Sequence, residues 1–236
     1  MWKFWKRGRE IITPRLTTRE NAGASRVDLL ELTPELTPYL GQLAYLELAF
    51  FTLLTRAVEG TEVIEQKDVL SAAAQTALEK YHALSDLIRE AGDNPAEVMR
   101  PFSEPVDDFI DKVSGEDWAE QVTSAYLVSG LLHDFFGRLG DGLPGRAGSR
   151  IEEILERDSG RAALAELLTG AIAADARLGA RLALWGRRLV GDTMLIARSA
   201  LVHTGNLHRD EARIEPVFTE LLNDHVHRMS VLGLTA

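Results

Sequence analysis

The sequence predicts an all-α protein, and two observations support this prediction. From Pro38 onward, apolar residues recur three and four positions apart, which is the spacing of one face of an α-helix. No run of strand length alternates between apolar and polar residues, as a half-buried β-strand would. With 236 residues, of which 45% are hydrophobic and 26% charged, the chain can bury a globular core.

The first half of the chain predicts two long amphipathic helices. They span about residues 37–58 and 62–91, and Gly60 and Gly92 are suitable stops because glycine readily leaves the helical conformation. The inward stripe of the first helix comprises Leu40, Leu43, Ala44, Glu47, Phe50, Phe51 and Leu54. That of the second comprises Val69, Ala73, Ala77, Lys80, Leu84, Leu87 and Ile88.

A crossover with several prolines follows the second helix. Asn94 and Pro95 predict the start of a short helix, and Pro101 and Pro105 predict breaks before an amphipathic piece at residues 106–113. The third long helix spans about residues 117–139, and residues 140–148 form a glycine-rich loop. The stripe of this third helix comprises Trp118, Val122, Ala125, Tyr126, Ser129, Leu132, His133 and Phe136.

The rest of the chain predicts three further helices, at about residues 150–174, 178–201 and 215–229, with a turn at 203–206. Two antiparallel helices, a long crossover and two more helices form the topology of a ferritin-like bundle, and a generic helical bundle is the alternative. We therefore expect a helical domain at residues 37–236 with extra C-terminal helices, preceded by a largely irregular tail at residues 1–36.

Composition excludes several classes of function. A formal net charge of -10 argues against a broad nucleic-acid-binding surface, because such a surface must be cationic. The absence of cysteine excludes disulfide frameworks, iron–sulfur ligation and cysteine nucleophiles, and favours a cytoplasmic location. No segment approaches the roughly 18 uninterrupted apolar residues of a membrane span. Residues 1–10 carry four cations, one anion and three aromatic side chains, which fits either a poorly ordered terminus or a contact with anionic lipid or RNA.

Polar residues on the apolar stripes mark the candidate site, because a buried charge is costly unless it is paired or binds a metal. Ordinary structural roles remain open for each: the long side chains can reach the surface, and a serine can bond a backbone carbonyl. One literal Glu-x-x-His sequence, Glu79 to His82, falls on the solvated face of the second helix, so we do not expect it to bind metal. The polar residues on the stripes are Glu47, Lys80, Ser129, His133 and Arg157.

Several stretches resemble the actinobacterial ferritin-like proteins related to the tRNA 2-methylthio-isopentenyladenosine hydroxylases. The resemblance runs from about Pro38 to the C-terminus, and the block at 181–191 and the C-terminal stretches fix its register. The matching stretches are residues 45–48, 94–102 (Asn-Pro-Ala-Glu-Val-Met-Arg-Pro-Phe), 105–109, 117–118, 125–135, 181–191 (Arg-Leu-Ala-Leu-Trp-Gly-Arg-Arg-Leu-Val-Gly), 224–229 and 232–234.

The resemblance implies a ferritin-like fold with a degenerate di-iron site. Metal-competent members carry an acid on the first and third helices and an acid-x-x-His pair on the second and fourth. In this register only the first-helix acid, Glu47, is retained. The other five positions hold Ala77, Lys80, Ser129, Arg157 and Gly160. We therefore hypothesise that a cation replaced the metal, with Lys80, Arg157 or both neutralising Glu47, and we expect no cofactor.

Two functions remain open, and the ligand count favours the first. The first is a non-catalytic binding or interaction module with an unidentified protein partner. The second is a di-iron, oxygen-dependent tRNA hydroxylase, whose substitute ligands would have to come from Glu47, Glu153, Asp158 and His133. A transcription regulator would need a basic helix-turn-helix, which the acidic first helices do not supply. Arg187, Arg188 and the small residues beside them leave a homodimer open.

Overall fold

The computed structural model describes residues 35–143, 145–201 and 207–236, and gives no side-chain environment for 199–201 and 207–214. These residues form eight helices and contain no strand, so the all-α prediction is confirmed for them. The predicted tail lies outside the described residues except for its last two positions, and the first helix begins at Leu36. The helices are α1 (Leu36–Glu59), α2 (Ile64–Glu90), α3 (Pro95–Val113), α4 (Trp118–Gly140), α5 (Ala147–Leu155), α6 (Arg161–Ala174), α7 (Ala176–Leu201) and α8 (Leu207–Val231).

The first two helices form an antiparallel pair. Thr37 at the start of α1 donates a hydrogen bond of 3.2 Å to Asp93, just beyond the end of α2. At the other end of the pair, Lys67 near the start of α2 donates to the carbonyl of Val58 at 3.2 Å. The connection between the two helices is only four residues long, 60–63, and short connections are typical of antiparallel neighbours. The pairing is therefore expected from the sequence.

The third long helix, α4, runs antiparallel to α1 and is the most deeply buried element. Tyr39 near the start of α1 donates to the carbonyl of Phe136 near the end of α4, at 2.5 Å. The body of α4 is buried on nearly all sides, because α1, α6, α7 and α8 all pack against it. A helix that is apolar around its whole circumference is expected at the centre of a domain.

The crossover is one continuous helix, α3, which corrects the expectation that Pro101 and Pro105 break it. Both prolines are exposed, so the carbonyls that lose their N–H partners face water. The opposite face packs on α1 through Met99, Val106, Phe109, Ile110 and Val113, all of which are buried. Asn94 caps the helix by accepting a hydrogen bond from the amide of Ala96 at 3.0 Å. One-sided burial thus maintains a helix that intrinsic propensity alone would interrupt.

The expected fourth helix at 150–174 is also corrected, because it consists of two helices. The first, α5, ends at Leu155, and the second, α6, begins at Arg161. Together they run antiparallel to α2: Arg150 pairs with Glu90 near the end of α2, and Gly160 lies against Ala73 in its first half. The four-helix bundle therefore comprises α1, α2, α4 and the interrupted α5–α6 pair.

The last two helices add a second layer against α4. Trp185 of α7 donates to Ser124 at 2.9 Å, and Arg138 of α4 donates to Asp224 of α8 at 2.8 Å. The last helix begins at Leu207, earlier than predicted, with Pro216 inside it. The predicted turn at 203–206 lies outside the described residues. No helix among the described residues combines the length and apolar character that crossing a bilayer requires.

A buried histidine joins α7 to α8. His225 is only 2% exposed, and its Nε2 lies 3.1 Å from the carbonyl of Gly186. Burial disfavours the charged imidazolium and lowers the pKa of His225 from 6.5 to about 4. The hydrogen bond to the Gly186 carbonyl opposes this shift, and the positive charge of Arg228 adds to it.

This shift predicts acid sensitivity between pH 6.5 and pH 4. In that range the unfolded chain binds a proton at His225 that the folded chain does not, so stability falls as pH falls, by up to about 3 kcal/mol. Urea unfolding of wild type and His225→Gln across this range measures the effect, and we expect a shallower pH slope in the variant. His82→Gln is the matched control, because His82 is exposed. Equal slopes in all three proteins would contradict the prediction.

Candidate functional site

A small cavity lies inside the bundle among α1, α2, α4 and the α5–α6 connection. Its volume is about 20 Å³, which is enough for one water molecule. Five of the residues singled out from the sequence line it: Glu47, Ala77, Lys80, Ser129 and His133. The rest of the lining is mostly apolar, so the cavity is a polar cluster within a hydrophobic core.

Glu47 and His133 form the central contact of the cavity. The carboxylate Oε1 lies 2.6 Å from the imidazole Nε2, and the two side chains are 1% and 6% exposed. With a hydrogen on Nε2, the imidazole donates to the carboxylate, and in the protonated form the contact is an ion pair. The other ring nitrogen, Nδ1, is buried and has no hydrogen-bond partner in the part of the chain that the structure describes. Glu47 is therefore contacted directly by a histidine, which the cation hypothesis did not anticipate.

Lys80 is the second polar group of the cavity and is fully buried. Its Nζ donates a hydrogen bond of 2.9 Å to the carbonyl of Leu155, the last residue of α5. The final carbonyls of a helix lack intrahelical partners and carry its negative end, so a buried cation is well placed there. Burial lowers the pKa of Lys80, and the attraction of Glu47 opposes that change. Lys80 thus stabilises the end of α5 beside Glu47.

Gly160 shapes the break between α5 and α6. Its φ is +65°, a left-handed conformation that glycine adopts without strain, and an added Cβ would lie 3.3 Å from the Cβ of Ala73. A histidine at this position would be strained and crowded against α2. Ser129, by contrast, has an ordinary role in α4, since its hydroxyl donates to the carbonyl of Ala125 at 2.5 Å.

Arg157 does not face the interior, and this prediction was wrong. The residue lies in the segment between α5 and α6, is exposed and does not line the cavity. The apolar spacing predicted an inward position for Arg157 only if one helix continues through residues 156–160, and no helix does. The substitute ligands Glu153 and Asp158 are exposed as well, and Asp158 accepts a hydrogen bond from the amide of Gly160 at 2.9 Å. Only Glu47 and His133 of the four suggested substitutes reach the cavity.

Sequence reasoning also missed participants. The carbonyl of Leu155 and the side chain of Ser159 belong to the site, but a backbone acceptor has no sequence signal. The literal Glu-x-x-His sequence behaves as predicted: Glu79 and His82 are exposed, and Glu79 accepts from Gln75 at 2.7 Å on the surface of α2.

A sequence model of one family, described as a ferritin-like domain of actinomycetes, matches residues 34–207. The chain belongs to this ferritin-like family. The match covers the bundle and all of α7, and α8 lies almost entirely beyond it. No curated protein matches the sequence.

The residues of this ferritin-like domain do not fit the di-iron centre that the fold can hold. Such a centre takes acids from two helices and a Glu-x-x-His pair from each of two more. Here the cavity offers one carboxylate and one imidazole, and the fully buried Lys80 places an amine among them. Within the described ranges, no group of three or more acidic or histidine side chains could hold a metal ion. The buried ammonium of Lys80 would repel a metal cation in this cavity.

The left-handed conformation of Gly160 predicts a destabilising alanine substitution. Gly160→Ala is expected to lower the free energy of unfolding by about 1–2 kcal/mol, because a Cβ is unfavourable at this φ and approaches Ala73. Gly170→Ala is the matched control, because Gly170 lies within α6 with open space around it. There alanine should raise stability by about 0.5–1 kcal/mol. Urea unfolding measures both, and equal effects would contradict this account of the break.

The buried contacts of Glu47 predict a larger loss. Glu47→Ala leaves His133 and Lys80 without their shared acidic neighbour, and we expect the free energy of unfolding to fall by about 3 kcal/mol. Glu79→Ala, on the exposed face of α2, should change it by less than about 0.5 kcal/mol. Chemical denaturation of both variants tests the difference. An unchanged stability of Glu47→Ala would show that this carboxylate is not a buried partner.

Proposed function

We propose that this ferritin-like domain has lost its di-iron centre and acts without catalysis as a binding module. The observation that carries the proposal is the hydrogen bond of 2.9 Å from Lys80 to the carbonyl of Leu155. It brings a buried basic side chain into the cavity that also contains Glu47, the one position where the family resemblance retains an acid. An iron ligand is thus replaced by a group that neutralises the remaining carboxylate.

The contacts of Glu47 support the same proposal. Its Oε1 is engaged by His133 at 2.6 Å, and the charge of Lys80 attracts it. A carboxylate already compensated by a histidine and a lysine gains little from a metal, and binding a metal would require these contacts to be given up. The cavity of about 20 Å³ has room for one water molecule rather than for two metal ions with their exchangeable ligands.

The interrupted fourth helix supports it as well. An acid-x-x-His pair works because positions three apart on a continuous helix project from one face. Here Arg157 lies in the connection between α5 and α6, and Gly160 directly precedes α6 in a left-handed conformation. The backbone itself therefore lacks the scaffold for a second pair of ligands.

A binding role is favoured by a large cleft next to the cavity. It has a volume of about 1100 Å³ and lies among α4, the α5–α6 connection and α8, and it shares His133 and Ser159 with the cavity. Small-molecule sites are commonly clefts of several hundred Å³ or more between packed helices. The domain thus combines a cavity that has few metal-ligating side chains with an open cleft that is large enough for a small molecule.

Metal analysis tests the proposal directly. The protein is purified without added metal, and its iron content is measured before and after anaerobic incubation with ferrous iron. We expect no stoichiometric iron in either sample, because the donor set is incomplete and Lys80 lies among it. Glu47→Ala serves as the control for adventitious surface binding, since it removes the one carboxylate of the cavity.

The opposite outcome has a clear signature. About two irons per chain, absent from Glu47→Ala and accompanied by an oxo-bridge absorbance after exposure to air, would overturn the proposal. That result would favour the alternative, a di-iron tRNA hydroxylase. A trace of iron equal in wild type and variant would reflect the surface and would leave the proposal intact.

A further inference from the structure

The large cleft beside the cavity has cationic and acidic groups in its walls, and most of the acids at its inner end already have partners. Asp134 pairs with Arg228 across α4 and α8, and Asp224 accepts from Arg138 at 2.8 Å. Asp158 accepts from the amide of Gly160 at 2.9 Å. The charges of Asp134 and Asp158 still attract Arg161, but neither carboxylate forms an ion pair with it.

Arg161 is a half-buried cation of the cleft without an ion-pair partner among the described residues. It is the first residue of α6, and it forms no hydrogen bond or ion pair within the described part of the chain. Its Nε is buried without an acceptor. Burial and the nearby charge of Arg228 both lower the pKa of Arg161, while Asp134 opposes the change. A half-buried guanidinium without a partner leaves several strong donors unused.

A second guanidinium lies close by on α8. Arg228 is 9% exposed, and although it pairs with Asp134, its Nη1 is buried without a hydrogen-bond partner. Only Arg228 contacts the carboxylate of Asp134, which acts on Arg161 through its charge alone. Buried donors without acceptors are rare in folded proteins, because each one costs about 1–3 kcal/mol. A bound acceptor would remove that cost.

The start of α6 adds backbone donors to the same place. Gly160 precedes the helix and offers no side-chain cap, so the first amides of α6, at Arg161 and Ala162, remain without acceptors among the described residues. Both residues line the cleft. The positive end of a helix favours an anion, and its free N–H groups point toward one.

We propose that the inner end of this cleft binds the oxyanion group, phosphate or carboxylate, of a small ligand. Arg161 and Arg228 supply the charge, and the first amides of α6 supply further hydrogen bonds. This assignment rests on the proposed binding role and names the chemical class of its ligand. It goes beyond the fold family, because Arg228 lies outside the matched residues 34–207.

The outer part of the cleft restricts the size of the ligand. Asp141, Glu152 and Glu156 are exposed there, and none of them forms an ion pair with a basic side chain of the described residues. These carboxylates repel an extended polyanion, in agreement with the net charge of -10 of the whole chain. A small ligand with a single oxyanion group accepts hydrogen bonds from the free donors at the inner end. Unlike a polyanion, it does not have to extend along the acidic outer part of the cleft.

Amide chemical-shift titration of the full chain tests the site. Sodium phosphate and sodium acetate are the two probes, with ionic strength held constant by sodium chloride. We expect saturable shifts at the amides of Arg161 and Ala162, and the stronger probe identifies the oxyanion. Arg161→Gln should weaken binding about tenfold or more, because it removes the partnerless guanidinium. Arg161→Lys, which keeps the charge but loses the planar fork, should lie between.

Arg157→Gln is the matched control, because it removes the same charge from an exposed position in the same cleft. We expect a change in affinity below about twofold, since charges that are exposed to solvent are screened. Equal weakening by Arg161→Gln and Arg157→Gln would show only general electrostatics and would overturn the proposal. So would the absence of saturable shifts with both probes.

Iron analysis of the same samples separates this inference from the proposed function. Saturable anion binding in a protein that also holds two irons would support the site while overturning the loss of the metal centre. A protein without iron that also fails to bind phosphate and acetate would overturn the site and leave the metal-free bundle unaffected.

Discussion

The polar centre of the bundle depends on one constraint, which is that the carboxylate of Glu47 lies 1% exposed in an apolar core. A buried charge of this kind requires compensation from its surroundings. The imidazole of His133 supplies a direct contact at 2.6 Å, and Lys80 supplies an attractive charge from α2. Glu47 on α1, Lys80 on α2 and His133 on α4 therefore interact at one level of the bundle. Replacing one of them removes an interaction of the others.

The same lysine explains why the fourth bundle helix is interrupted where it is. Its ammonium contacts the terminal carbonyl of α5, Leu155, and so stabilises a helix end in the interior. After five intervening residues α6 begins, with Gly160 allowing the close approach to Ala73. Leu155 at the end of α5 and Arg161 at the start of α6 both line the cleft, and the carbonyl of Leu155 also contacts Lys80 of the cavity. The interruption of the fourth bundle helix thus adjoins both the cavity and the cleft, and Ser159 lines both.

Much of this arrangement could be predicted from the residues. Helical spacing placed Glu47 and Lys80 on buried stripes and Glu79 and His82 on a solvated face, because periodicity reports which side of a helix meets the core. The same reasoning failed for Arg157, since periodicity carries no information once the helix ends. It also failed for α3, where packing of one face against α1 compensates for the helix-breaking tendency of its prolines.

The sequence by itself determined the all-α class and the buried position of Glu47, because both follow from residue type and short-range spacing. The tertiary structure alone decided which groups compensate Glu47, since His133 and Lys80 lie on different helices that meet it only after packing. It likewise decided that the carbonyl of Leu155 accepts from Lys80 and that the Nε of Arg161 is buried without an acceptor among the described residues. Backbone acceptors and missing partners are properties of three-dimensional proximity, and no local pattern in the chain records them.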